Sequence, residues 1–488
     1  MGQGRPIGVW GLAALLPLVS LGGPPLAYLA VCFLLAAEGF LVFVFFRRFF
    51  DDVTSLMLAI VYLLFPAYAS KYLFVRFHTH LASLCFWAAA VIYTRGYAAT
   101  SAVLMATTIL IYETHLLQGA LIPIVVLVLG SSRGLTLQGR QNEIRRATRF
   151  LLTFLGIAGL LFWAKVAFFP GRLSTAFADG FSAAAERLFT AGVIGIKTIM
   201  FSHGNRAEWL TRPHPMKLYI GFFVILAVTY LIYRSQTVKE HHSKQAHWAS
   251  SPWSSVALFL VSVTLIYVSY VPFALNYDRW PPVQLTGRLS EVHWGAAGGY
   301  VLAWASLVRL VASGRPKTTC GAVILPGFLL YSFVMSGFFI SYQERLVQNW
   351  AMQTSYWNMI RTCIEQHSPS LVVLDSDEEE QRLAGSEEVF GWTVGYFPFL
   401  MDMREKNRWP LVQTLSLLKS KRTDISEGQI QISPKYTWFL FPCVSAELAE
   451  TMTIKPFDGT LVESSPILEL NGQSISPGLT CRFSGEKF

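Results

Sequence analysis

The chain has 488 residues, of which 53% are hydrophobic and only 14% charged, and its mean hydropathy is +0.43. A soluble protein carries about a quarter charged residues, so a water-soluble enzyme is excluded and a polytopic helical membrane protein is indicated. The net charge of +9 sits mostly in short stretches between apolar runs. There Lys and Arg set orientation, which argues for topology and against a nucleic-acid partner.

In chain order, Arg5-Pro6 leads into residues 7–21, an apolar segment interrupted by Pro17 and glycines that reads either as a span or as an interfacial helix. Residues 26–46 form a clear span, closed by Arg47-Arg48 on the side the positive-inside rule assigns to the cytoplasm. Residues 53–65 return outward and stop at Pro66, 67–80 are external, and 81–94 come back in to Arg95. Residues 98–112 go out, which leaves Glu113 and His115 external, and 116–129 go in. The loop 131–149 carries Arg133, Arg140, Arg145, Arg146 and Arg149, the strongest inside signal in the chain. Residues 150–169 go out to a long external loop, 170–217, with some helical pattern. Residues 218–233 go in to Arg234, Lys239 and Lys244, 253–271 go out, and 272–294 are external. Residues 295–311 go in to Arg309, Arg315 and Lys317, and 320–340 exit. Every strong basic cluster falls on the inner side, and the count is about ten or eleven transmembrane helices.

This pattern divides the chain into a transmembrane domain, 1–340, and an extracytoplasmic soluble domain, 341–488, long enough for an α/β or α+β core. In the second domain 342–366 have helical periodicity, 371–374, 430–433 and 438–441 read as strands, and 375–380 as an acidic turn. The six cysteines show no CxxC and no zinc spacing. Cys32, Cys85 and Cys320 read as small hydrophobes. Cys443 and Cys481 are able to pair on an oxidising side, which leaves Cys363 free.

Five groups of residues carry candidate chemistry. Glu113 and His115 read as a general base and its neighbour, or as a polar turn solvated by headgroups. Arg76, His78 and His80 suit a lipid phosphate, with an aromatic-anchored interfacial loop as the structural alternative. His78 and His80 share a face on a strand and diverge on a helix. Glu38, near the middle of its span, must face the bundle interior, either as a proton or substrate group or as a neutral acid bonded between helices. Asp278, Arg279, Arg288, Glu291 and His293 crowd the stretch before the span at 295–311, with Arg288 suited to clamp a pyrophosphate and an ordinary interfacial loop as the structural alternative. His203, Arg206, Glu208, Arg212 and His214 line an acceptor groove or a solvated surface. No P-loop, GxSxG or HExxH is present.

Gly4-Arg5-Pro6, an apolar segment, a span ending in Arg47-Arg48-Phe49, then Leu64-Phe65-Pro66 and a polar external stretch together resemble the GT-C superfamily of integral-membrane glycosyltransferases. The Tyr112-Glu113 step and Gly287-Arg288-Leu289-Ser290 entering a span are similar to bacterial members of that group. The resemblance covers about the first 120 residues, and beyond them only topology. It implies a sugar moved from a polyprenyl-phosphate donor to an extracytoplasmic glycan or protein acceptor in the bacterial plasma membrane, with a divalent cation as the one cofactor class in view. Members carry an acidic base in an external loop ahead of Gly-Arg-Pro. Here the chain begins at that motif, so the resemblance implies a truncated start, lost chemistry or a substitute carboxylate. Glu113, with Glu38, stands in as the expected base, and Arg76, His78, His80, His115, Asp278, Arg288 and Glu291 as the substrate-binding set. The expectation from a different class is a non-catalytic protein that binds or translocates a lipid-linked glycan, with Glu38 as its transport group.

Overall fold

A computed structural model of the chain describes residues 26, 29–68, 71, 77–112, 115–130, 137–168, 181–201, 219–220, 222–227, 252–274, 288–312, 324–344, 371–374 and 411–414. Two compact units divide at residue 342: Met1–Tyr342 and Gln343–Phe488. The first unit is a bundle of helices. In chain order these are α1 (Leu29–Phe46), α2 (Asp52–Leu63), α3 (Phe77–Thr94), α4 (Ala98–Ile111), the single turn α5 (Leu116–Gly119) and α6 (Ile122–Gly130). They continue as α7 (Leu137–Phe168), α8 (Phe181–Phe201), α9 (Pro252–Ala274), a 3-10 helix (Arg288–Ala296), α10 (Ala297–Ala312) and α11 (Ile324–Glu344).

Among the described residues, five helices are long and apolar enough to cross a bilayer: Leu29–Phe46, Gln141–Ala164, Pro252–Ala274, Val292–Ala312 and Ile324–Glu344. Their outer faces carry exposed Leu29, Phe33 and Phe40 on α1, Leu152, Leu155 and Trp163 on α7, and Trp253 and Leu260 on α9. In water such a surface aggregates, whereas lipid tails cover it. The protein is a helical membrane protein.

Several local expectations change. The stretch 131–149, expected as an inner loop, is helical from Leu137, because Leu, Gln, Glu and Arg are strong helix formers and α7 runs on past its apolar part. The stretch 170–217, expected as an external loop with some helical pattern, contains the 21-residue helix α8, packed along α9. The expected span 116–129 breaks between α5 and α6, just ahead of Pro123, which supplies no N–H to continue the ladder. The expected span 53–65 becomes the 12-residue α2, about 18 Å long against the roughly 30 Å of a hydrocarbon core. Asp51 caps it by accepting from the Thr54 N–H at 2.8 Å.

The helices approach closely where side chains are small. A Cβ on Gly299 of α10 would stand 2.7 Å from the Ser262 carbonyl of α9, so only glycine permits that contact. Gly96, at φ 99°, turns α3 into α4, with the Tyr97 N–H reaching back to the Ile92 carbonyl. The centre of the unit is aromatic: Phe45, Tyr62, Phe65, Tyr68, Trp87 and Trp294 are all buried and meet ring to ring.

In the second unit β1 (Leu371–Leu374) pairs in parallel with β2 (Leu411–Thr414), register Leu371 to Leu411. The expected strand at 371–374 is therefore present, and its parallel partner requires a crossover through the residues between. The segment 7–21, the pattern beyond Glu344, the strands expected at 430–433 and 438–441, and Cys363, Cys443 and Cys481 lie outside the described residues.

Candidate functional site

Because successive helices alternate in direction, the C-terminal ends of α2, α4 and α9 meet the N-terminal ends of α3, α5 and α10. Contacts across them show the convergence. The His78 and Tyr112 rings lie 5.0 Å apart, those of Tyr112 and Phe273 6.1 Å, and those of Tyr68 and Trp294 5.1 Å. The short α2 has a further consequence. It stops level with the middle of α1, so the non-helical stretch after Leu63 enters the bundle at the depth of Glu38. Phe65, Ala67, Tyr68 and Lys71 have no exposed surface. Irregular backbone inside a membrane protein must have its polar groups satisfied by its neighbours, and side chains do so here. Lys71 Nζ donates to the Leu63 carbonyl, Tyr331 to the Leu64 carbonyl at 3.0 Å, and His80 Nε2 to the Lys71 carbonyl at 2.6 Å.

Glu38 is the hub of this cluster. Its Oε2 accepts from the Tyr62 hydroxyl at 2.8 Å, and its Oε1 lies 2.8 Å from His80 Nδ1. Both side chains of the acid–imidazole pair are fully enclosed. The protonation follows from the partners. His80 Nε2 faces a carbonyl, so it carries hydrogen. Nδ1 and Oε1 cannot face each other at that distance as two lone pairs, so one further proton lies between them. The pair is therefore either carboxylate with imidazolium or carboxylic acid with imidazole, and the same proton serves both. The ammonium of Lys71 lies over the Phe339 ring, 3.7 Å from its centre, and acts electrostatically on Glu38.

A second polar group lies alongside. His115, in the turn between α4 and α5, sits stacked on Phe86 at 5.0 Å, with Nε2 2.7 Å from Ser83 Oγ and Nδ1 2.7 Å from Gln118 Oε1. Gln118 Nε2 donates to the carbonyls of Leu265 at 3.0 Å and Gly295 at 2.6 Å, which ties α5 to α9 and to the 3-10 helix. Burial pushes the His115 imidazole down to about 4, a shift that its hydrogen bond to Gln118 offsets only in part. A third contact joins the Tyr270 hydroxyl to His293 Nδ1 at 2.7 Å.

The opposite ends of the same helices are built from arginine. Arg309 donates to the Val128 and Leu129 carbonyls at 3.3 and 2.6 Å and lies over Phe50, closing the C-terminus of α6. Arg47 pairs with Asp52 at 2.6 Å, and Arg146 with Glu143 at 2.8 Å beneath Tyr93. Arg309, expected to mark the inner end of its span, is buried, because bare helix-end carbonyls attract a cation.

Of the expected site residues, the structure brings Glu38 and His80 into direct contact and places His115 nearby. His78 and His80 fall on the first turn of α3 rather than in a loop, and they diverge as helical neighbours must: His80 turns inward and His78 meets Tyr112. Glu113, Arg76 and Asp278 lie outside the described residues. Arg288 and Glu291 lie on the 3-10 helix, whose later residues His293 and Trp294 are buried, so that part is not the interfacial loop expected. Sequence reasoning missed Lys71, Tyr62, Ser83 and the anchoring role of Gln118. The one available signal was Lys71, a cation five residues ahead of Arg76 between two apolar runs. Among the described residues, no three His, Cys, Asp or Glu side chains gather as a divalent cation would require. No protein-family model, curated protein or solved structure matches this chain.

Proposed function

We propose that this chain is a GT-C-like membrane glycosyltransferase and that the Glu38–His80 pair is its proton acceptor. It would move a sugar from a polyprenyl-phosphate carrier to an extracytoplasmic glycan or protein acceptor, with the imidazole-rich end of the bundle on the outer face of a bacterial plasma membrane. The observation that supports this is the enclosed acid–imidazole pair beside an ammonium, where non-helical backbone enters the bundle. In the transfer, the bond from the anomeric carbon to the phosphate oxygen breaks and one to the acceptor oxygen forms. The acceptor's proton must go to a base, and the charge left on the phosphate must be met. The pair takes that proton only after the one now held between Nδ1 and Oε1 has left and the two groups, then carboxylate and neutral imidazole, have drawn apart. Lys71 balances the carboxylate while the pair is empty. Arg76 and Arg288 are the residues the GT-C resemblance offers to the phosphate, and Glu113 is the alternative base.

One observation favours a second reading. Both oxygens of Glu38 are bonded and the side chain has no exposed surface. That suits a group that gains and loses a proton as helices rearrange, in a non-catalytic protein that binds or translocates a lipid-linked glycan. The discriminating experiment places the full chain in lipid nanodiscs with a panel of radiolabelled polyprenyl-phosphate monosaccharides and measures release of polyprenyl phosphate. The transferase reading expects release that Glu38→Gln lowers about a hundredfold or more, the usual scale for a lost general base. Saturable donor binding with no release from any donor moves the assignment to the second reading. No binding and no release overturn both.

A further inference from the structure

His115 takes no part in the proposed sugar transfer, yet its contacts are those of a general base. Its Nε2 lies 2.7 Å from Ser83 Oγ and its Nδ1 2.7 Å from Gln118 Oε1. Gln118 fixes where the hydrogens are. Its amide nitrogen donates to the Leu265 and Gly295 carbonyls, so its oxygen faces the ring. That oxygen only accepts, so Nδ1 carries hydrogen, the neutral ring keeps its lone pair on Nε2, and the Ser83 hydroxyl donates to it. A hydroxyl bonded to an imidazole whose far side is held by a third group is the arrangement that activates a nucleophile. Other buried serines differ. Ser101, Ser262, Ser269 and Ser306 each donate to a backbone carbonyl, the usual use of a hydroxyl inside a helix bundle.

We propose that Ser83, His115 and Gln118 form a second catalytic centre, in which Ser83 takes up the acyl group of a long-chain lipid ester. Ser83 is the nucleophile, His115 its base, and Gln118 a positioning residue that fixes which ring nitrogen accepts. The substrate class follows from the surroundings. Phe86 stacks on His115 and also lines an apolar cavity with Phe45, Ile122, Val125, Leu265 and Leu302, and Gln118 borders the same cavity. Such walls suit a hydrocarbon chain whose carbonyl lies at the end nearest Ser83. Ser83 is enclosed, so the ester reaches it when the Phe86 ring turns aside. Trp87, one turn after Ser83 on the same face of α3, is buried, and its indole N–H has no hydrogen-bond partner among the described residues. That N–H is the donor available to the oxygen of an attacked carbonyl. A glutamine in the third position, rather than a carboxylate, leaves no charge buried at rest.

In the first step Ser83 Oγ bonds to the ester carbonyl carbon as its hydrogen passes to His115 Nε2. The bond from that carbon to the ester oxygen breaks, and the leaving oxygen takes the hydrogen from Nε2 and departs as an alcohol. In the second step a hydroxyl, of water or of another alcohol, attacks the acyl carbon and gives its hydrogen to Nε2. The bond to Oγ breaks, and Oγ recovers that hydrogen. Nothing is oxidised or reduced. The groups facing His115 are Ser83, Gln118 and the Phe86 ring. Burial keeps the ring neutral down to about pH 4, so the base is ready at neutral pH.

The test uses the full chain in phosphatidylglycerol nanodiscs and a decyl fluorophosphonate, which loses fluoride to an activated serine oxygen. Mass spectrometry is expected to find the adduct on Ser83, formed about a hundredfold or more slowly in His115→Gln, the usual scale for a lost general base. His115→Asn makes the same comparison if His115→Gln fails to fold. Gln118→Leu should slow labelling about tenfold or more by freeing the ring. It should also move the acid midpoint of the rate below its native value of about 4, because the lost bond is the one that raises it. A merely loosened fold would not lower that midpoint. Ser101→Ala should label like the native chain. No adduct on Ser83, or undiminished labelling in the folded His115 variant, overturns the proposal. Discs made with radiolabelled acyl chains, with glycerol added, then report turnover. Free fatty acid identifies water as the acceptor, and acylated glycerol identifies an alcohol. Neither product overturns the acyl chemistry. No sugar enters the readout, so this centre and the transferase reading stand or fall separately.

Discussion

The two ends of the helix bundle solve the same problem with different residues. Both hold backbone carbonyls that no helix satisfies. At one end Arg309 reaches two of them, and Arg47 and Arg146 pair with adjacent carboxylates. Guanidinium groups stay charged at any relevant pH, so that end has one protonation state. At the other end the carbonyls of Leu63 and Lys71 are met by Lys71 and His80, and His80 is tied to Glu38. Those groups change charge by moving a single proton. A scaffold has no use for such freedom, and a chemical site depends on it. On the proposed function, the arginine end serves stability and the imidazole end serves the chemistry.

The comparison is broken most sharply at Glu38. Glu38→Ala leaves a buried imidazole and ammonium without their acid and should cost about 3–5 kcal/mol, the scale for breaking a buried pair, read as loss of folded protein in a detergent melting assay. Glu38→Gln keeps both hydrogen-bonding positions, so it should fold and lose only function. At the arginine end, Arg309→Ala strands two buried carbonyls and should cost about 1–3 kcal/mol, while Arg309→Lys recovers part of the loss in the same assay. Between the two ends, Gly299→Ala pushes α10 off the Ser262 carbonyl and should cost about 1–3 kcal/mol as an overpacking change, with the imidazole cluster disturbed because Gly295 and Trp294 move with α10. The smallest effect is Arg47→Ala. Its pair with Asp52 is more than half exposed on the Arg47 side, and its loss should shift stability by less than about 1 kcal/mol and fade with added salt.

That the chain is a helical membrane protein was legible in the sequence because its apolar runs reach the length of a bilayer. That Glu38 faces inward followed from the cost of a carboxylate in lipid. What periodicity could not reveal was how far helices extend beyond their apolar parts. α7 runs on through arginines that favour helix as strongly as leucine does, and α8 forms in a stretch read as loop because it packs on α9 and needs no high hydropathy. The site was half legible. His80 was singled out for its charge, and its helical placement was one of two open readings. Its link to Glu38 spans 42 residues and depends on α2 being too short to cross, a length read as a full span from sequence. Lys71 was hidden for the same reason, since its segment was assigned to the outside.

The most direct test of the division between ends is a paired measurement on Glu38→Gln and Arg309→Lys in nanodiscs, with polyprenyl phosphate released per folded molecule and the melting midpoint taken on the same samples. The account predicts that Glu38→Gln loses release at a near-native midpoint, and that Arg309→Lys lowers the midpoint at near-native release per folded molecule. Native release from Glu38→Gln, or release lost in Arg309→Lys at an unchanged midpoint, would contradict it.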